Sequence, residues 1–367
     1  MPVSEQRSNI GVVVLGMSRS GTSAVAGMFV RAGFFSGPAD QLSGATEANP
    51  LGHFEHLGTM SANELVLEQL SGSWIDPPVQ EVQLRAADIA LPVLREAFDR
   101  IAAGADGAPI VIKDPRIGVL MPLWRRIIDG RLHPVLVVRD PTEVARSLRI
   151  RDGTPTALGL AAWELHMTEL LTQLGGRCVT VIPYAWLVDD EAHAVSSIEA
   201  VAAHLEPSLA ATVRPQAGRE ALAPALRRNR AETAELADLT RAQRELWRAL
   251  AALEPGDLVI DFPPQLLAPN PLAREAVQDE VRRVEGELER ARLEQQLAGY
   301  ERRADADAAA LAEERERVRT SAEAYARLEL RLNALMESKS WRATGPLRRL
   351  SRIGRRGARE DRSAQLN

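Results

Sequence analysis

The chain has one cysteine, Cys178, in 367 residues. That excludes an intramolecular disulfide and any Cys-rich metal site. Aromatic residues make up 4% of the chain, while Ala, Leu and Arg abound, so much of it should be helical. No apolar run approaches the length of a membrane span. The short run at 10–17 follows a polar start and enters a Gly-rich turn, so no signal peptide is expected. Charge of one sign is also lacking. A net charge of −5 predicts no general affinity for nucleic acid. It conceals a basic end, residues 339–359, with eight Lys or Arg and no acid. The expectation is a soluble, cytoplasmic protein with one large core and an extension.

What remains alternates. Apolar runs at 11–15, 110–113, 134–139 and 178–184 read as buried strands, with 257–262 a weaker candidate. Helical patterns fall at 22–32, 86–103, 119–128, 141–148 and 158–174. Strands alternating with helices imply an α/β fold, a parallel sheet with helices on both faces. The Pro-rich stretch 262–271 cannot be a helix interior and reads as a linker. Proline is then absent from 272 to 344. Val277, Val281, Val284, Leu288 and Ala291 repeat at 4-3 spacing, the seam of a coiled coil. The pattern weakens around Gly299, resumes at Val318, Ala322 and Tyr325, and shifts register to Leu328, Leu332 and Leu335. Self-association is the natural use of such a seam; a single solvated, salt-bridged helix is the alternative. The expected organisation is an α/β domain (1–262), a linker (263–271), a coiled-coil helix (272–338) and a basic tail (339–367).

The most informative segment follows the first strand: Gly16-Met17-Ser18-Arg19-Ser20-Gly21-Thr22-Ser23. Strand, Gly-containing turn and helix start gather backbone N–H groups around one point, and the helix dipole favours an anion there. Gly16 and Gly21 permit the tight backbone. An ATPase loop needs Lys after its second Gly; here that position is Thr22, and the cation lies inside the loop as Arg19. A Gly-rich turn without ligand is the plain alternative. Further on, a strand delivers Arg139 to its carboxyl end, where open α/β sheets bind ligands. Pro141 starts the next helix and Ser147 lies about two turns along it.

Together these segments resemble the PAPS-dependent sulfotransferases, in which a basic residue precedes Ser-Gly-Thr in the 5′-phosphosulfate loop. In those enzymes a strand-end Arg and a Ser eight residues later form the 3′-phosphate site. The resemblance covers roughly residues 9–230. It implies a P-loop-like sheet and transfer of a sulfuryl group from 3′-phosphoadenosine-5′-phosphosulfate (PAPS) to a hydroxyl or amine. Arg19, Ser20, Gly21, Thr22 and Ser23 would bind the 5′ end, and Arg139 and Ser147 the 3′-phosphate. Arg228, within Arg227-Arg228-Asn229-Arg230, sits where many members place a basic loop, although the usual Arg-Lys-Gly motif is missing. Sulfuryl transfer moves a less charged group than phosphoryl transfer, and no metal is expected.

The acceptor side is less specific. Asn49-Pro50-Leu51-Gly52-His53-Phe54-Glu55-His56 resembles the Asn-Pro-x-Gly-aromatic-Glu segment of bacterial members, in which Glu is the base. Glu55 is the expected catalytic base, beside Arg19 on the leaving group, with His53 and His56 as rivals. Lys113 and Arg116, in Lys113-Asp114-Pro115-Arg116, and His166, one turn after Trp163, are candidates for the sulfuryl group or the acceptor. A Trp at that spacing belongs more often to a core. The tail around Trp341 resembles those of bacterial proteins that build surface glycans. The acceptor is therefore expected to be a glycan, a glycolipid or a small molecule, and the tail could rest on an anionic membrane. The rival readings are a P-loop nucleotide kinase and a non-catalytic coiled-coil scaffold.

Overall fold

The structure, a computed structural model, describes residues 10–46, 52–189, 191–205, 239–268 and 270–345. The chain divides into two compact units, one ending at Val284 and the other beginning at Glu285. The first is an α/β unit around a five-stranded sheet of order β2-β1-β3-β4-β5. Strands β1 (Gly11–Leu15), β2 (Ile110–Lys113), β3 (Leu132–Val138) and β4 (Cys178–Pro183) are parallel; β5 (Gly256–Val259) runs antiparallel to β4.

Both faces of β1 are buried, which is why it reads as an unbroken apolar run instead of an alternating one. Val12 and Val14 pack with Val111, Val135, Val137 and Ile182 under helices α1 (Thr22–Arg31), α9 (Tyr184–Asp189) and α10 (Glu191–Leu205). Val13 and Leu15 face the opposite layer. That layer contains α2 (Leu57–Gln69), α4 (Ala87–Gly104), α5 (Pro115–Val119), α6 (Met121–Ile128), α8 (Thr156–Leu174) and α11 (Arg241–Ala251). Helix α3 (Gln80–Arg85) leads into α4, and α7 (Pro141–Asp152) follows β3.

Register aligns the carboxyl ends of the parallel strands. Val14 lies opposite Lys113, Leu15 opposite Leu136 and Val138 opposite Pro183. Residues that follow β1, β2, β3 and β4 therefore leave the sheet along one edge.

The departures from the expected elements have local causes. The helix expected over 119–128 is α6, which starts at Met121 because Pro122 suits a first turn where its missing N–H costs nothing; a separate short helix, α5, precedes it. Strand β3 starts before Pro134 although it is central; pairing with β4 begins only at Val135, so that side of the ladder is still open at the proline. Helix α7 continues to Asp152 and stops at Gly153, whose φ of 73° provides the left-handed cap.

The long C-terminal helix, α12, spans Pro271–Glu337. Its first turns belong to the α/β unit. Ala273 and Val277 lie in the core and Val281 packs against it. The beginning of the seam assigned to a partner helix is thus spent on this chain's own core. In the second unit the described residues of the helix are exposed except at Ala298 and Gly299, which are half-buried. No helix among the described residues is long and apolar enough to cross a membrane. The tail beyond Gly345 lies outside the described residues.

His166 and Trp163 are core residues, 2% and 1% exposed, and His166, expected near the acceptor, does not line the cavity described below. Its Nε2 has no hydrogen-bond partner, and burial lowers the imidazole to about 4. The unfolded chain, with an ordinary value of 6.5, takes up a proton that the folded chain refuses. Stability should therefore fall as pH drops from 6.5 towards 4, by about 3 kcal/mol in all. Unfolding free energies measured across that window should lose this slope in His166→Leu; an unchanged slope would assign it to other groups.

One buried polar knot joins both halves of this layer to the sheet edge. Asn63 Nδ2 donates to Asp114 Oδ2 at 3.0 Å, and Trp124 Nε1 donates to Asn63 Oδ1 at 2.8 Å. Asn63→Leu leaves a buried donor and a buried carboxylate oxygen without that partner, and should cost about 2–4 kcal/mol. Urea denaturation will measure it; a loss below about 0.5 kcal/mol would mean that water replaces the amide.

Candidate functional site

Two strand ends are built alike. Lys113 closes β2 and is followed by Asp114-Pro115, in which Asp114 accepts from Arg116 N at 2.9 Å and caps α5. Arg139 follows β3 and precedes Asp140-Pro141, in which Asp140 accepts from Thr142 N at 2.8 Å and caps α7. Each Asp-Pro pair turns the chain sharply from strand to helix. Each thereby leaves a cation at the carboxyl edge of the sheet.

Between them runs the β1–α1 loop. Arg19 has a φ of 72° and Gly21 a φ of 93°. At Gly21 a side chain is excluded twice, since a Cβ would stand 2.6 Å from Tyr184 Cδ2. No side chain caps the start of α1, so the first-turn N–H groups keep their affinity for an anion.

The three cations meet around this loop. Arg139 Nη1 donates to the Arg19 carbonyl at 2.7 Å, its Nε donates to Glu143 Oε2 at 2.9 Å, and its guanidinium lies 3.8 Å from the Tyr184 ring centre. Arg19 Nε donates to Ser147 Oγ at 2.9 Å. Lys113 Nζ donates to Ser23 Oγ at 3.0 Å and to Glu55 Oε1. An ammonium therefore does reach the loop, from the neighbouring strand instead of from the position of Thr22. Burial, followed by the nearby Arg151 and Arg139, pushes the Arg19 guanidinium below its usual range.

Glu55 sits on a strap, residues 52–56, laid across α1. Phe54, with a φ of 56°, presses its ring on Gly27, where a Cβ would be 2.7 Å from Phe54 Cε2. The Glu55 carbonyl accepts from Ser43 N at 2.8 Å. His56 turns the other way, its Nε2 3.2 Å from Gln41 Oε1. His53 Nε2 lies 3.0 Å from Thr46 Oγ1. Burial is the main influence and lowers its imidazole; Glu55 opposes this, and Lys113, Arg19 and Arg151 add to the lowering.

These groups enclose a cavity of about 230 Å³. Of the residues singled out in the sequence, Arg19, Gly21, Thr22, Ser23, His53, Glu55, Lys113, Arg116 and Arg139 line it. Ser20 and Ser147 are buried behind the wall, each 2% exposed. Arg116 is held by Asp114 at 3.0 Å and by Glu64 at 2.7 Å. Arg228 lies outside the described residues, as do Asn49, Pro50 and Leu51.

Sequence reasoning missed Arg31, Trp74 and Arg151, which also line the cavity. Arg151 lies one helical turn beyond Ser147, on the same side of α7 as an i+4 neighbour, and that spacing was the available signal. Trp74 comes from the turn after α2 and carried none. A second hollow, of about 290 Å³, opens on the far side of Arg139 and Tyr184 and is walled by Trp247, Leu250 and Val181.

No protein-family model matches the chain, and no curated protein matches it. Among solved structures, the chain is similar to the sulfotransferase domain from the Synechococcus PCC 7002 olefin synthase. That similarity has 16% identity and a TM-score of 0.35, over 77% of this chain and 98% of that one.

Proposed function

We propose that the α/β unit is a sulfotransferase that uses PAPS as donor. The observation that carries this reading is the meeting of Arg19, Lys113 and Arg139 around one Gly-bounded loop, with Glu55 in the same cavity. A donor with a 5′-phosphosulfate and a 3′-phosphate is a polyanion with two separated centres of charge. The loop suits the first, and Arg139, on the neighbouring strand, suits the second.

In this reading Thr22, Ser23 and the first N–H groups of α1 hold the 5′-phosphate, and Arg19 neutralises the oxygen that leaves with it. Ser147 accepts from Arg19 and so orients it; the Ser147 hydroxyl hydrogen can donate to the 3′-phosphate beside Arg139. The base of the nucleotide would lie against Tyr184, towards the hollow at Trp247. The acceptor oxygen attacks sulfur as the bond from sulfur to the 5′-phosphate oxygen breaks, and that bond's electrons leave with the nucleotide. Glu55 takes the acceptor's proton. Lys113 touches both the loop and the base, and would donate to the sulfuryl oxygens as charge moves towards the phosphate.

The acceptor is a hydroxyl or an amine. A sugar hydroxyl on a glycan or glycolipid is the proposed class, by the resemblance of the tail, and peripheral contact with an anionic membrane through that tail belongs to the same proposal.

Calorimetry should show 3′-phosphoadenosine-5′-phosphate binding at least about tenfold more tightly than 5′-ADP or magnesium-ATP, with the preference lost in Arg139→Ala. Tighter binding of magnesium-ATP would make the protein a nucleotide kinase; no nucleotide binding would leave a scaffold. Once an acceptor is found, Glu55→Gln should lower kcat by about 100-fold or more while nucleotide affinity stays within about threefold. Undiminished turnover would move the role of base to His53 or to water.

A further inference from the structure

The second unit carries an apolar stripe in a register different from the one spent on the α/β core. Leu297, Ala304, Leu311, Val318, Tyr325 and Leu332 recur every seven residues without a break. Four positions before each of them, and again at the end, stand Leu293, Tyr300, Asp307, Glu314, Ser321, Leu328 and Leu335. The five large apolar side chains of the first set are 54% to 76% exposed. Ion pairs such as Arg319 with Glu316 and Arg327 with Glu323 occupy other faces.

A solitary α-helix has no use for a strict seven-residue period. Its own period of 3.6 drifts by about 20° per heptad, so only supercoiling around a second helix keeps such a stripe on one line. We infer that residues 293–335 form a parallel, in-register, two-stranded coiled coil with a second copy of this chain.

The charges beside the stripe select the partner and its direction. In a parallel pair each residue just before a first-set position faces the partner's residue five further on. Arg303 then meets Ala308, Ala310 meets Arg315, Arg317 meets Ala322, Ala324 meets Glu329 and Arg331 meets Met336. Glu301 faces Gln296, every other flanking charge faces a small or apolar side chain, and no like charges meet on the flanks. An antiparallel pair centred on the same stretch would set Arg315 and Arg317 each against itself, Arg303 against Arg331 and Glu301 against Glu329. That is repulsion at every charged flank. The parallel pair does set Asp307 against the partner's Asp307 and Glu314 against the partner's Glu314 across the seam. Glu314 is then beside the partner's copy of Arg315, and Arg303 is one turn from Asp307, so a cation stands near each of these two acidic layers and offsets their repulsion.

The test is the mass and orientation of the full chain. Light scattering should give twice the 40.1 kDa chain mass at about 1–100 µM. Val318→Lys combined with Leu332→Lys should halve it, whereas Leu330→Lys, off the stripe and 70% exposed, should leave it unchanged. Circular dichroism will show that the α/β unit still melts cooperatively in each variant. For direction, Ser321→Cys in a Cys178→Ser background should oxidise to a covalent dimer, and Ala326→Cys, outside the seam, should not. A chain of single mass over that range overturns the inference and leaves the stripe for another protein. So does a dimer that ignores the seam substitutions. A dimer in which the Ser321→Cys variant fails to cross-link overturns the parallel register.

Discussion

Three cations held within hydrogen-bond range of one short loop repel one another, and the rest of the site is arranged around that repulsion. Arg19, Lys113 and Arg139 each arrive on a different strand end. Each is met by an acceptor from somewhere else: Ser147 from α7 for Arg19, Glu55 from the strap for Lys113, Glu143 and the Arg19 carbonyl for Arg139. Burying a cation without such partners would cost several kcal/mol. With them the cluster is tolerated, although Arg19 remains pressed below its usual range by burial and by its neighbours. Positive potential left over after internal pairing is what a polyanionic ligand would use, since it relieves a strain that the fold has already accepted.

The strap shows how the same constraint reaches the chemistry. Lys113 joins Ser23, at the end of the β1–α1 loop, to Glu55. The position of the carboxylate is therefore tied to the loop as well as to the strap's own backbone. Phe54, pinned on Gly27, sets the angle at which Glu55 enters. A carboxylate held by two independent anchors keeps its geometry at modest entropic cost, which is what the proposed role of base requires. The resemblance of residues 49–56 favours Glu55 over its flanking histidines, but side-chain chemistry alone leaves all three as rivals. The fold separates them by turning His56 towards Gln41 and leaving Glu55 against Lys113.

Much of this was legible in the sequence wherever a local rule was also the global one. The four parallel strands are apolar runs because both faces are covered, and Lys113-Asp114-Pro115 and Arg139-Asp140-Pro141 announce strand end, cap and helix start in three residues. Of the cavity residues that were missed, Arg151 follows from helical spacing, whereas Trp74 depends on long-range packing. Trp74 reaches the cavity only because of where α2 ends. His166 looked available on a helix one turn from Trp163, yet α8 is buried along nearly its whole length, and periodicity cannot identify an outward face on a helix that has none. The fold was easier than the site because burial leaves a periodic trace and convergence in space does not.

The long helix makes the same point from the other side. Its 4-3 pattern from Val277 looks like one seam, and a run of apolar residues at that spacing carries no label for what it will pack against. Ala273, Val277 and Val281 are satisfied by the α/β core, so they are silent about association. The stripe from Leu293 onward differs by one physical criterion: its residues remain exposed in an isolated chain. Exposure of leucine and tyrosine at single positions is ordinary. Repeated at a period that matches a supercoil and not a free helix, it is a cost that a second helix would remove. The two registers on one helix therefore divide the labour, the first fastening it to the core and the second leaving a surface whose geometry specifies what should cover it.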